Sequence, residues 1–136
     1  MRDCVFCDIV TGRTPAQRVL EDERFLAFLD RRPVQKGHVL LVPKEHVVTL
    51  PDLPEELRDG FLAHAQRLAA AVVDGLGAQG SFVAVNNVVS QSVPHLHMHV
   101  VPRTRGDGLK GFFWPRHAYQ DGEMEGYAER LRAALQ

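Results

Sequence analysis

The sequence predicts an α+β domain, an antiparallel sheet of about five strands with one long helix packed on a face and two shorter helices. Three observations carry this reading. Short apolar runs bounded by Gly, Pro and acidic residues recur through the first third of the chain and again between residues 82 and 101. One stretch repeats its apolar residues at helical spacing from Leu57 to Leu76. The 136 residues match one domain in length and show no internal repeat and no linker-like composition.

Taken in order, Asp3 caps a short helix over about Cys4 to Thr11, which Gly12 ends, with Pro15 beyond it. Arg18–Leu20 and Phe25–Leu29, separated by Glu21-Asp22-Glu23, read as the strands of a hairpin. Arg32-Pro33 and Gly37 punctuate a loop before Val39–Val42, an unbroken apolar run expected as a buried strand that Pro43 closes. In the long helix Leu57, Phe61, Ala65, Leu68, Val72 and Leu76 fall three or four apart on one face. Asp52, Pro54 and Glu55 supply its start, and Gly75 and Gly77 its stop. Phe82–Val85 and His95–Val101 follow as strands around a polar turn from Asn86 to Pro94, and Met124, Tyr127, Leu131 and Leu135 mark a last helix.

Composition excludes several classes of function. Sixteen Lys+Arg against 17 Asp+Glu leave a net charge of −1, without the basic surplus that non-specific polyanion binding needs, so no nucleic-acid partner is expected. The longest apolar run, Leu68–Val73, is far short of the roughly 18 to 20 residues of a membrane span. Asp3 and Asp8 interrupt the apolar start, so a cytoplasmic location is expected. A site for a small molecule is what remains.

His95-Leu96-His97-Met98-His99-Val100-Val101 carries the most chemistry. On a strand, alternate side chains share a face, so the three histidines form a row with roughly 6.6 Å between neighbours while Leu96, Met98 and Val100 face the core. Such a row fits either a catalytic metal site or a neutral imidazole that attacks phosphorus. From Gly75 to Pro102, 28 residues pass without an Asp, Glu, Lys or Arg. No local carboxylate completes a metal site or holds an imidazole protonated, which favours the nucleophile. Ser90, Gln91 and Ser92 add hydroxyl and amide donors suited to phosphate oxygens. Cys4 and Cys7, three apart at a helix start, suit metal ligation or redox exchange, and the absence of a preceding strand argues against a thioredoxin-like unit.

The histidine segment resembles the histidine triad (HIT) family pattern, His-φ-His-φ-His-φ-φ with φ apolar, and Gln91-Ser92-Val93 precedes it as in that family. The resemblance extends through Cys4-Val5-Phe6-Cys7-Asp8-Ile9-Val10, Glu21-Asp22-Glu23, Leu29-Asp30, Gly37-His38 and Pro43-Lys44-Glu45-His46, covering about the first 105 residues. It implies a HIT-like fold with a core over residues 1–105, a C-terminal loop and helix over 106–136, and a homodimer whose sheet runs across the interface. It implies a hydrolase acting at the α-phosphate of purine nucleoside phosphoramidates or dinucleoside polyphosphates through a nucleotidyl-histidine. His97 would be the nucleophile, His99 would hold a phosphate oxygen and Ser92 would assist the leaving group. Asn86 or Asn87 would reach the phosphate, Asp30 the ribose hydroxyls, and Val5, Phe6, Ile9, Phe28 and Leu29 would line the base pocket. His46 and His95 would join Cys4 and Cys7 around a structural zinc. Two alternatives stand beside this: a metal-dependent hydrolase using all three histidines, and a nucleotide-binding regulatory or scaffold protein with vestigial activity.

The chain departs from the family in one loop, where Val88-Val89-Ser90 is shorter by about two residues and Ser90 stands where glycine is common. His38 is expected to hydrogen-bond to the triad, and His64 on the long helix to be structural. Arg103–His117 is basic and carries Phe112-Phe113-Trp114, with Trp114 expected to reach across the dimer and influence substrate choice.

Overall fold

A computed structural model describes residues 3–110 and 114–136. Its elements are α1 (Val5–Thr11), β1 (Arg18–Glu21), β2 (Phe25–Leu29), β3 (Val39–Pro43), α2 (Arg58–Leu76), β4 (Gly80–Val85), β5 (Met98–Arg103) and α3 (Glu123–Leu135). The strands form one sheet in the order β1-β2-β3-β5-β4, with every neighbouring pair antiparallel.

The apolar runs of β2 and β3 are unbroken because this sheet is covered on both faces. Phe25, Ala27, Val39 and Leu41 point to α2, where Leu57, Phe61, Ala65, Leu68 and Val72 meet them. Leu26, Phe28, Leu40 and Val42 point the other way and pack with Cys4, Phe6 and Ile9 of the α1 segment. Leu96 and Val100 join the α2 core. The histidines between them are thereby left on the α1 face, as the alternation predicts.

Several boundaries differ from the sequence reading, each for a local reason. Cys4, not Asp3, caps α1, its sulfur accepting from the Cys7 N–H at 3.3 Å while Asp3 stays exposed. Gly12 ends that helix at φ 86, as expected of a C-terminal glycine. The last strand begins at Met98 and not at His95. The chain turns just before it, with the His95 N–H on Val93 O at 2.8 Å and the Leu96 N–H on Val47 O at 2.7 Å. Two 3₁₀ turns, Leu50–Asp52 and Glu55–Leu57, feed α2, and Asp52 caps Thr49 instead of the long helix. Strand β4 gains Gly80 and Ser81 by pairing with Arg103 and Pro102.

His64 is structural: it lies on α2 with Nε2 2.6 Å from Asp22 Oδ2, and Asp22 also accepts the N–H groups of Arg24 and Phe25 at 2.9 and 2.8 Å in the β1–β2 turn. Helix α3 buries no residue, and Met124, Tyr127 and Leu131 are exposed along it. Among the described residues no helix is long and apolar enough to cross a membrane. Phe112 and Phe113 lie outside the described residues, and Trp114 is exposed.

Candidate active site and metal centre

A cavity of about 600 Å³ opens on the α1 face of the sheet. Helix α1 supplies Val5, Phe6 and Ile9, strand β2 supplies Phe28 and Leu29, and Asp30, Ser92, His97 and His99, expected there as well, join them. A seven-residue helix has little stability of its own. It is held by Phe6 against Phe28, edge-on at 5.5 Å, and by the Arg18 guanidinium, which donates to the Ile9 carbonyl at 2.6 Å. The cavity also takes in Thr14, Gln17, Arg31, Leu40 and Val93, which the sequence reading misses. Local periodicity gives no sign of the loop from Thr14 to Gln17, and Arg31 reads as a turn residue.

The rest of the expected phosphate loop lies outside this cavity, and two of its side chains bond to the protein. Asn86, Asn87, Ser90 and Gln91 do not line the cavity. The Asn87 amide oxygen accepts the Leu50 N–H at 2.8 Å. Gln91 accepts the Val88 N–H through Oε1 at 3.0 Å and donates through Nε2 to Val48 O at 2.6 Å. The shortened loop is thus stapled to the segment after β3. Val88 and Ser90 take φ values of 69° and 64°, so Ser90 keeps the left-handed backbone that glycine favours. Strain of about 1–2 kcal/mol at each is set against those side-chain bonds.

The histidine row is fixed by hydrogen bonds that also decide its tautomers. His97 Nδ1 lies 2.7 Å from His95 O, and a carbonyl can only accept, so Nδ1 carries the hydrogen and Nε2 of the neutral ring has the lone pair. Phe6 stands edge-on to that ring at 5.0 Å. The Val34 N–H donates to His38 Nδ1 at 3.2 Å, so neutral His38 carries its hydrogen on Nε2 and passes it to His99 Nδ1 at 2.9 Å. His99 is left as a donor at Nε2. Burial, with smaller contributions from His97 and His38, pushes the His99 pKa down to about 4. Burial also lowers His38, against an opposing pull from Asp30, whose carboxylate is 3.7 Å from Nδ1. Asp30 additionally accepts the Arg32 N–H at 2.9 Å, so it is both a turn residue and part of the cavity wall. Both imidazoles are neutral at neutral pH; for His99 this is the state expected from the charge-free stretch, whereas His38 lies outside that stretch and owes it to burial.

His95 belongs to a second cluster. Its Nδ1 lies 3.4 Å from Cys4 Sγ and 3.5 Å from Cys7 Sγ, and Cys7 Sγ is 3.2 Å from His46 Nδ1. One ligand atom from each of Cys4, Cys7, His46 and His95 lies within 4.8 Å of the others. Tetrahedral zinc, with bonds of about 2.3 Å to sulfur and about 2.0 Å to nitrogen, sets ligand atoms about 3.3–3.8 Å apart. His95 Nε2 is 2.8 Å from the Pro43 carbonyl, which fixes the hydrogen there and leaves Nδ1 to face the thiols. The donor set therefore fits a metal ion, and with all four positions supplied by protein it fits a closed site.

The comparisons with known proteins agree with this geometry. The HIT domain model matches residues 11–106. Adenosine 5'-monophosphoramidase hnt1 of Schizosaccharomyces pombe is 32% identical over 134 residues, covering 97% of this chain and 98% of that protein. The crystal structure of a HIT family member from Bacillus subtilis superposes with a TM-score of 0.90 at 35% identity, covering 99% of each chain. A zinc-bound histidine triad family protein from Mycobacterium smegmatis superposes with a TM-score of 0.75 at 41% identity, covering 97% of each chain.

Proposed function

The chain belongs to the HIT domain family, and on that premise we propose that it is a nucleotide hydrolase cleaving at the α-phosphate of purine nucleoside phosphoramidates or dinucleoside polyphosphates. One observation carries the reading: the His97 Nδ1 hydrogen is committed to the His95 carbonyl, so the Nε2 lone pair is left for the cavity.

In the proposed reaction the base lies against Phe6, Ile9 and Phe28, Asp30 accepts from the ribose hydroxyls, and His99 donates Nε2–H to a phosphate oxygen. His97 Nε2 attacks the α-phosphorus, forming an N–P bond as the bond to the leaving amine or phosphate breaks. The leaving group takes the proton of the Ser92 hydroxyl. The imidazole is now cationic, and its Nδ1–H bond to the His95 carbonyl strengthens as charge develops. Water then attacks phosphorus and returns a proton to Ser92 as the N–P bond breaks, and the nucleoside monophosphate leaves with neutral His97 and the Ser92 hydroxyl restored. The four-residue cluster would hold a structural zinc outside this path. Asn87 fixes the loop through the Leu50 N–H, and in this scheme Asn86 or the Asn87 amide nitrogen reaches the phosphate.

The metal-dependent alternative asks three histidines to share one ion. Their partners speak against it, since His95 turns to Cys4 and Cys7 while His97 and His99 use Nδ1 on protein groups. Mass spectrometry of protein quenched with an adenosine phosphoramidate is expected to find adenylate on His97. Turnover by H97A comparable to wild type would sink the covalent mechanism, and tight monophosphate binding with negligible wild-type turnover would favour a regulatory role.

A further inference from the structure

His95 stands in two clusters at once. Its ring sits among Cys4, Cys7 and His46, with Nε2 on the Pro43 carbonyl. Its backbone carbonyl is the acceptor that sets the His97 tautomer. A second link runs through α1. Cys4 caps this helix through its sulfur, and two residues on Phe6 lies edge-on to His95 at 6.0 Å, to His97 at 5.0 Å and to Phe28 at 5.5 Å. The same helix turn therefore supplies ligands to one cluster and a wall to the other. The chain supports His95 in no regular strand, since β5 begins only at Met98. What places its carbonyl is the local turn on Val93, the Leu96 bond to Val47 O, and the anchored ring.

We propose that His95 is a positioning residue: held by Cys4, Cys7 and His46 around zinc, it fixes the tautomer of His97 and seats α1 against the sheet, so that nucleotide affinity and turnover follow metal occupancy. A purely structural zinc would add stability and leave the cavity indifferent to which ligand was altered. Here one ligand differs from another. Cysteine reaches a metal through an atom one bond beyond Cβ, whereas His95 reaches through Nδ1, two bonds beyond it. H95C keeps four donors but draws the backbone toward the metal and loses the bond to Pro43 and the contact with Phe6. H46C changes the donor set equally and leaves untouched the residue that carries the acceptor carbonyl.

The experiment compares wild type, H46C and H95C, each loaded with one equivalent of cobalt(II) or zinc. The visible absorption of cobalt reports ligation, circular dichroism reports folding, and calorimetry reports AMP affinity. Nitrogen-15 correlation spectra of the histidine rings report the His97 tautomer. The expected result is that both variants bind the metal and fold. H95C should lose at least tenfold in AMP affinity and show mixed His97 tautomers, while H46C changes affinity by no more than about threefold and keeps the Nδ1–H form. Metal-free wild type, refilled with zinc, should lose and regain affinity in step with occupancy. Equal effects of H46C and H95C, or a folded metal-free protein with unchanged affinity and tautomer, would overturn the proposal. So would wild type that takes up no metal. The proposal rests on the nucleotide-site reading but not on the covalent step. If AMP binding follows the metal while no adenylate forms on His97, the mechanism above fails and the positioning role stands.

Discussion

The two faces of the sheet are built by opposite rules. Toward α2, a 19-residue helix lays Phe61, Ala65, Leu68 and Val72 on Phe25, Ala27, Val39 and Leu41, and apolar contact suffices. Toward α1, a seven-residue helix covers Leu26, Phe28 and Leu40 with two buried side chains of its own, and the remaining attachment is polar: sulfur, imidazole and a guanidinium on a carbonyl. The first face stores stability that tolerates small errors in placement. The second trades that tolerance for an open cavity whose polar atoms have defined hydrogen positions. Chemistry lies where apolar packing is thin.

Five substitutions or conditions test this contrast. The largest effect is expected from H97A, which should reduce turnover on the order of 10³-fold or more while leaving the melting temperature near wild type; steady-state rates beside calorimetry check it. L41A on the opposite face should do the reverse, costing about 2–5 kcal/mol of stability in denaturant titrations with kcat and KM of the folded protein unchanged. A parallel loss of kcat would show that the faces are not independent. H38F should lower kcat about 10- to 100-fold, because it removes the donor that fixes His99 Nδ1 as an acceptor, and it should leave the far core intact.

The pH dependence is smaller. His99 in the folded protein has a pKa of about 4 against an ordinary value of 6.5. Between those values the unfolded chain binds the extra proton, so this group makes stability fall as pH drops from about 6.5 and ceases to contribute to the slope below about 4. Melting curves of wild type and H99Q should diverge across that window, and parallel curves would contradict a neutral buried ring. The smallest effect is R31A, at the cavity edge, which should weaken AMP binding only a few-fold.

How much of this was legible in the sequence depends on the range of the interaction. Apolar spacing shows α2, and strict alternation shows that His97 and His99 share a face opposite Leu96 and Val100, because both are repeats within one element. The Cys pair and His46 are readable through resemblance, since the ligands are far apart in sequence. The loop contacts of Gln91 and Asn87 are not legible, because their partners, Val48 O and Leu50 N–H, are about 40 positions away and a side-chain amide has no preference until one arrives. Alternation sets the start of β5 at His95 because it continues through residues that in the fold turn to meet Val47 and the thiols. The Thr14–Gln17 rim shows no pattern at all.

The bond from the Val34 N–H to His38 Nδ1 gives the histidine chain a direction. One amide hydrogen at the start dictates which end of His38, and then which end of His99, is electropositive. Reversing it needs no change to any histidine. With proline at position 34 that hydrogen is gone, His38 can hold its own on Nδ1 beside Asp30, and the polarity of the His38–His99 pair inverts, presenting a lone pair where an anion is to be received. A residue with no part in binding thus acts as the sign of the site.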